Sequence, residues 1–120
     1  MIPELAVATA LLMQSADDRG DWMHPSRAAN SATVEFGKCV IRHESLHSGG
    51  PRAENRSSTA SGLFQFIDGT WRHYAQHVKS ARKYRHASNA PAPVQWEVFL
   101  LAIKWHGHKN WVGTHCGFGT

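Results

Sequence analysis

Residues 93–107 constrain the fold more than any other part of this chain. Pro93 suits the first turn of an α-helix, and Gly107 is a residue type that commonly ends one. Between them, apolar residues recur at helical spacing and share one face; they are Val94, Val98, Leu101 and Trp105. Such a face must pack against other elements, and a chain of 120 residues has room for one hydrophobic core. We therefore expect a small, mainly helical domain.

A second helix is predicted over residues 32–47, which contain no proline. Glu44 lies near its C-terminal end, because the run Ser48-Gly49-Gly50-Pro51 stops a helix. Three upstream residues fall on the same face as Glu44; they are Val34, Gly37 and Ile41. The spacing therefore places Glu44 on the buried side of the helix.

A loop and a third helix are predicted between residues 52 and 78. Residues 52–61 are polar and turn-rich, which is typical of a loop or a short hairpin. Asp68 is suited to cap a helix that carries Trp71. Since a tryptophan at a helix start usually buries its ring, we expect Trp71 in the core rather than on a ligand-binding surface.

Glu44 has the setting of a general acid. A glutamate at a helix end that faces an apolar cleft stays protonated near neutral pH, because burial disfavours its charged form, and cleavage of a glycan needs such an acid. If charged, His47 would lower the pKa of Glu44 from one helical turn away. His43 points roughly 100° away around the helix and should matter less.

The same glutamate also belongs to a second pattern. The run His43-Glu44-Ser45-Leu46-His47 matches the zinc-protease arrangement of two histidines four apart, in which the glutamate activates a metal-bound water. The third ligand of one such protease group would fall at Ala53, which cannot bind a metal. We therefore expect neither a metal nor another cofactor, and keep a zinc metallopeptidase as an alternative.

Four segments of the chain together resemble a known family. They are Glu44-Ser45, Ser61-Gly62-Leu63-Phe64-Gln65-Phe66 and Thr70-Trp71, with Trp105-His106-Gly107 near the C-terminus. This combination resembles the transglycosylase and resuscitation-promoting-factor group of the lysozyme superfamily, over about residues 36–116. The resemblance implies an α+β lysozyme-like fold with a short loop or hairpin beside the catalytic cleft.

The resemblance also implies an activity and a set of site residues. The expected reaction is cleavage of the β-1,4 bond between N-acetylmuramic acid and N-acetylglucosamine in peptidoglycan, with Glu44 as general acid and then base. Substrate contacts are expected from Ser61, Gln65, Thr70 and His106. The domains are then residues 1–31, an N-terminal helix and connecting segment, and residues 32–120, the lysozyme-like catalytic domain.

The chain departs from that group at three places. The family's cysteine directly before the glutamate is displaced to Cys39, and the Ala-Tyr-Asn motif of soluble lytic transglycosylases is absent. Ile67 stands where resuscitation-promoting factors have an aspartate, and Asp68 follows one place later. Asp68 is therefore a candidate second carboxylate.

A carboxylate pair would make the enzyme a hydrolytic muramidase, whereas a single glutamate favours a lytic transglycosylase. A wall-binding module without activity is a further alternative, against which the intact Glu44 argues.

Charge indicates an anionic partner. Lys and Arg outnumber Asp and Glu by 13 to 9, for a formal net charge of +4. Except for one cluster at residues 79–85, these cations are scattered along the chain, so we expect no nucleic-acid role. A cell wall that carries acidic polymers accounts for the same excess.

The cysteines and the N-terminus bear on location. Cys39 and Cys116 lie too far apart for a redox or zinc pair, so they are either core thiols or one long-range disulfide, which an exported protein favours. Residues 5–13 are apolar, but Glu4 precedes them and no Lys or Arg appears before Arg19, so no signal peptide and no membrane span are predicted. We expect an extracytoplasmic protein at the bacterial wall, either secreted or phage-delivered, and a virion or a larger wall-associated assembly is a candidate partner.

Overall fold

Three α-helices supply most of the regular structure in residues 22–117, the part of the chain that this computed structural model describes. Helix α1 is Ser31–Glu44, α2 is Asp68–Ala75 and α3 is Ala92–His106. Short 3-10 helices lie at Gly50–Arg52, Ala87–Asn89 and Lys109–Thr114. Strand pairing within these residues is limited to two isolated antiparallel bridges, between Glu54 and Ser61 and between Ser61 and Phe66. The expectation of a small, mainly helical domain is confirmed. The helix predicted near residues 5–13 lies outside the described residues.

Helix α1 ends three residues earlier than the sequence predicts and begins one residue earlier. It begins after Asn30, whose side chain accepts hydrogen bonds from the backbone N–H groups of the first helical turn. It ends at Glu44 because Ser45 leaves the helical conformation, and the Ser45 hydroxyl donates a 2.8 Å hydrogen bond to the carbonyl oxygen of Leu63. His47 consequently lies outside the helix.

Helix α2 starts at Asp68, which is its first residue rather than its cap. The N-cap position is Ile67, whose side chain cannot cap the helix, and the Asp68 N–H donates instead to the Thr59 hydroxyl oxygen at 2.9 Å. Trp71 is fully buried, as predicted, and its indole N–H donates to the carbonyl oxygen of Tyr84 at 2.7 Å. This bond ties α2 to the loop that follows it.

Helix α3 is buried on more sides than the single apolar face that the sequence predicts. Of the four residues assigned to that face, Val98 is buried, Val94 and Leu101 are half-buried, and Trp105 is 43% exposed. The residues that the helix buries besides Val98 are Ala92, Gln95, Trp96, Phe99, Leu100, Ala102 and Ile103. A single face was too narrow a prediction because chain segments cover this helix on several sides.

Aromatic rings fill the centre of the domain, between α1, α3 and the loop before α2. The rings of Phe64 and Phe99 stack with centroids 4.1 Å apart, and the indole N–H of Trp111 donates to the Phe64 carbonyl oxygen at 2.8 Å. Gly37 lets α1 approach α3, because a Cβ at this position would lie 2.5 Å from the ring of Trp96. The core therefore holds the Phe64 loop by ring packing and by a hydrogen bond.

A disulfide between Cys39 and Cys116 connects α1 to the C-terminal segment. The sulfur atoms are 2.06 Å apart and the Cα atoms 5.9 Å apart. Of the two alternatives left open by the sequence, the long-range disulfide is therefore the one confirmed. It closes a loop of 77 residues, so it constrains most of the domain.

Residues 22–30 pack on the core, although they precede the predicted start of the catalytic domain at residue 32. The Trp96 indole N–H donates to the carbonyl oxygen of Trp22 at 2.8 Å, and Arg27 pairs with Glu97 at 2.9 Å. Among residues 22–117 no helix has the length and apolarity needed to cross a membrane.

Candidate active site

Glu44 is the last residue of α1, and its side chain is half-buried. Burial raises the pKa of its carboxyl group above the ordinary value of 4.5, while the neighbouring charge of His43 acts in the opposite direction. The sequence pointed to His47 as the opposing group. That expectation fails because the helix ends before His47, which therefore does not lie one helical turn above the carboxyl group.

The residue after Glu44 is fixed to the loop that contains Gln65. Ser45 is buried, and its hydroxyl donates to the carbonyl oxygen of Leu63, two residues before Gln65. The end of α1 and this loop are therefore held together by a buried hydrogen bond, which limits how far Glu44 can move relative to the loop.

Gln95 of α3 holds the same loop from the other side. It is fully buried, accepts a hydrogen bond from the Leu63 N–H at 2.7 Å, and donates to the carbonyl oxygens of Pro51 and Ala90 at 3.0 and 2.8 Å. Gly62 makes this approach possible, because it has a φ of 81° and a Cβ there would lie 2.4 Å from the Gln95 side-chain oxygen. Sequence reasoning missed Gln95, a polar residue within an apolar helix.

Two of the predicted substrate contacts, Gln65 and Thr70, line one cavity. It has a volume of about 190 Å³, and its other lining residues are Phe66, Ile67, Asn110 and Trp111. Gln65 has a left-handed backbone conformation with a φ of 52°. Its side-chain amide N–H₂ donates to the carbonyl oxygen of Gly62 at 3.0 Å, which orients the side chain.

His106 is connected to this cavity through hydrogen bonds. Its Nδ1 lies 2.7 Å from the Tyr74 hydroxyl, which also accepts a 3.1 Å hydrogen bond from the side chain of Asn110, a cavity-lining residue. Sequence reasoning identified His106 but missed Tyr74 and Asn110, which relate it to the cavity.

Ser61 lies away from the solvent-accessible part of the site. It is fully buried, and its hydroxyl oxygen accepts a 3.0 Å hydrogen bond from the Ser88 N–H. Its backbone N–H and carbonyl groups both pair with Phe66. In this structure Ser61 supports the shape of the loop, and its side chain does not reach the cavity surface.

Asp68 belongs to a polar network that the sequence analysis did not foresee. Its Oδ1 lies 2.7 Å from His86 Nδ1, and its Oδ2 lies 3.5 Å from the Arg72 guanidinium. On the other side of the ring, His86 Nε2 lies 2.9 Å from Glu54, whose carboxylate also accepts a hydrogen bond from the Ser88 hydroxyl. Asp68 is therefore held by two cationic groups at the start of α2.

The protonation states of this network follow from its hydrogen bonds. The Ser88 hydroxyl and His86 lower the pKa of the Glu54 carboxyl. The hydrogen bond to Glu54, and then that to Asp68, raise the pKa of His86. The network is most stable when His86 is positively charged and Glu54 is ionised. No periodic signal could have revealed it, since Glu54 and His86 are 32 residues apart.

The helical geometry that a zinc-protease site needs is not formed. Helix α1 ends at Glu44, so His43 and His47 do not share a helix face. In residues 22–117, three potential metal-ligand atoms approach within 4.8 Å only at Cys39, His43 and Cys116. Both sulfur atoms there are joined in the disulfide.

In comparisons with known proteins, no family model, no curated protein and no solved structure matches this chain. Its function must therefore be inferred from its residues and their geometry.

Proposed function

We propose that this domain is a peptidoglycan-cleaving glycosidase of lysozyme-like α+β type, which acts as a lytic transglycosylase on the bond between N-acetylmuramic acid and N-acetylglucosamine. The observation that carries the proposal is the position of Glu44. Its carboxyl group is half-buried at the end of α1, has a raised pKa, and adjoins the Ser45 hydrogen bond to the loop that bears Gln65. A general acid for a glycosidic oxygen needs a carboxyl group that retains its proton at higher pH.

The reaction proceeds in two proton transfers through Glu44. The protonated carboxyl group donates its proton to the leaving glycosidic oxygen as the bond from the muramoyl C1 to that oxygen breaks. The muramoyl C6 hydroxyl oxygen then bonds to C1, and its proton passes to the Glu44 carboxylate, which restores the acid. The product carries a 1,6-anhydro end, and no water is consumed.

The state of Asp68 favours this internal attack over hydrolysis. Hydrolysis by a carboxylate pair needs a second carboxylate that is available to activate water or stabilise the sugar. Asp68 is instead paired with His86 and Arg72. A transglycosylase needs no second carboxylate, because the substrate supplies its own nucleophile.

The cavity beside the loop supplies sugar contacts. The side-chain N–H₂ group of Gln65 donates hydrogen bonds to backbone carbonyl oxygens. Its side-chain oxygen is therefore the atom that accepts hydrogen bonds from sugar hydroxyls. Thr70 adds a hydroxyl to the same cavity, and His106 acts through Tyr74 and Asn110 at its edge. The disulfide is consistent with a location at the wall, because disulfides persist in oxidising compartments.

Glu44→Gln tests the proposal. The amide preserves shape but cannot donate the proton, so clearing of purified peptidoglycan should be abolished while the circular dichroism spectrum is retained. Glu35→Gln is the matched control, since it makes the same change at an exposed position of α1 and should leave clearing unchanged. Lysis by the Glu44 variant at the wild-type rate would refute the glycosidase assignment.

The product distinguishes the two glycosidase mechanisms. Mass spectrometry of the unreduced digest should show muropeptides lighter by one water than those made by a hydrolytic muramidase from the same wall. A digest with only reducing muramic acid ends would instead assign hydrolysis to this enzyme.

A further inference from the structure

Four cations in the loop after α2 have no partner of opposite charge among residues 22–117. All four are exposed; they are Lys79, Arg82, Lys83 and Arg85, here called the basic surface. The carboxylates that form ion pairs among these residues do so with other basic groups: Glu35 with Lys38, Glu54 and Asp68 with His86, Asp68 with Arg72, and Glu97 with Arg27. The basic surface therefore presents its charge to solvent.

The loop holds these cations on a defined backbone. Ala81 is fully buried at its centre, and its N–H donates to the carbonyl oxygen of Val78 at 2.8 Å. At the far end, the Tyr84 N–H donates to Ala81, and the Tyr84 carbonyl oxygen accepts the hydrogen bond from Trp71. A backbone fixed at both points loses little freedom when a ligand binds, which favours affinity.

The cations surround two adjoining open depressions. The larger has a volume of about 950 Å³ and is lined by Lys79, Arg82 and Lys83 and by the apolar side chains of Val78 and Val94. Glu97 also lines it, and its carboxylate is paired with Arg27. The second, of about 480 Å³, includes Arg72, Arg82 and Arg85. Arg82 and Tyr84 line both. Depressions of this combined size exceed what a single small anion fills, and they suit several consecutive units of a chain.

We propose that the basic surface binds a flexible phosphodiester polymer that has no bases, the chemistry of polyol-phosphate chains in bacterial walls. Regularly spaced phosphates match several unpaired cations on one rigid loop, and their binding releases counterions. The identification of the wall as the source of this polymer depends on the proposed function, whereas the binding itself does not.

The aromatic residue at this site argues against single-stranded nucleic acid as the ligand. Proteins that bind single strands stack bases on open aromatic faces. Tyr84 is half-buried, and the Lys83 ammonium lies 5.3 Å from its ring centroid. The ring is therefore already in contact with a cation, and the surface offers charge rather than a stacking platform.

Binding is measured by titrating the full chain with poly(glycerol phosphate) at several salt concentrations. All proteins carry Glu44→Gln, so that no reaction contributes. The test variant adds Arg82→Gln and Lys83→Gln, and the matched control adds Lys104→Gln and Lys109→Gln, which removes the same charge at exposed positions elsewhere. The test variant should bind about tenfold more weakly, and its slope of log K against log salt should be shallower by about 1.4. The control should bind nearly as its parent does.

Three results would overturn the inference. Equal weakening in the two double variants would show that only net charge matters. Tighter binding of an oligothymidylate with the same number of phosphates would assign the surface to nucleic acid. Absence of saturable binding by the parent would eliminate the site.

Thermal melting of both variants excludes a folding defect. Failure of the glycosidase proposal is recognised separately, because wild-type protein would then not cleave peptidoglycan stripped of phosphate polymers, whatever the titration shows.

Discussion

Replacing Gln95 with leucine should destabilise the domain by about 3 kcal/mol, although the two side chains are similar in size. Gln95 is fully buried and makes three hydrogen bonds to backbone groups of different segments. Leucine removes all three. Of the groups affected, the Ala90 carbonyl oxygen retains a donor in Arg52, while the Leu63 N–H and the Pro51 carbonyl oxygen lose the hydrogen bonds that Gln95 makes to them.

The magnitude follows from these two groups. A buried backbone donor or acceptor left unsatisfied costs about 1–3 kcal/mol, so two cost roughly 2–6 kcal/mol. Burial of the more apolar leucine side chain stabilises the folded state by roughly 1 kcal/mol. The remaining loss of about 3 kcal/mol is a large share of the 5–15 kcal/mol that is typical of a whole domain.

Urea unfolding measures this change. With a slope near 1.5 kcal/mol per molar urea, the midpoint should fall by about 2 M, and the slope itself should stay unchanged. Hydrogen exchange supplies a local measurement, because the Leu63 amide loses its acceptor and should exchange faster.

Gln76→Leu is the matched control. It makes the same replacement at an exposed position, where the side chain donates a hydrogen bond to the carbonyl oxygen of His73. It should change the free energy of unfolding by less than about 0.5 kcal/mol. If Gln95→Leu costs less than about 1 kcal/mol, the reasoning that Gln95 anchors the Leu63 loop is wrong.

Three further predictions concern charge and the disulfide. Burial raises the pKa of Glu44, so ionisation of its carboxyl group lowers the stability of the folded wild type above pH 4.5. Glu44→Gln should therefore be more stable than wild type at neutral pH and should lose this advantage below pH 4.5. Unfolding measured as a function of pH tests this prediction. The pKa of His86 is raised above 6.5, so its ion pairs stabilise the fold fully below pH 6.5 and progressively less as the pH rises through the raised pKa. Between pH 6 and pH 9, wild type should therefore lose more stability than His86→Gln. Intact mass after alkylation without reductant should show no modified thiol, and the Cys39→Ser, Cys116→Ser double variant should unfold with about 4 kcal/mol less free energy; two alkylated thiols in the wild type would contradict the disulfide.

The helices could be predicted because their signals are local. Pro93 and Gly107 mark α3 to within a residue at each end. The end of α1 was predicted less accurately. A buried hydrogen bond from Ser45 to Leu63, 18 residues away, ends this helix before the chain reaches Gly49 and Gly50. Such a contact has no signal in the residues that surround the helix end.

The candidate site divides in the same way. Glu44, Gln65 and Thr70 were identified as motif residues, and the structure puts the last two in one cavity. Glu54 and His86 were missed, because they form a network only after the loop before α2 and the loop before α3 come together.

The sequence by itself determined which segments become helices, which aromatic residues are available for the core, and that Glu44 comes at a helix end. These properties depend on spacing along the chain, and helical periodicity makes them readable. Only the tertiary structure decided that Asp68 is paired with His86, that Ser61 is buried, and that Gln95 holds the loop beside Glu44. Each of these depends on hydrogen bonds between segments distant in sequence, whose partners are chosen by the packing of the whole domain.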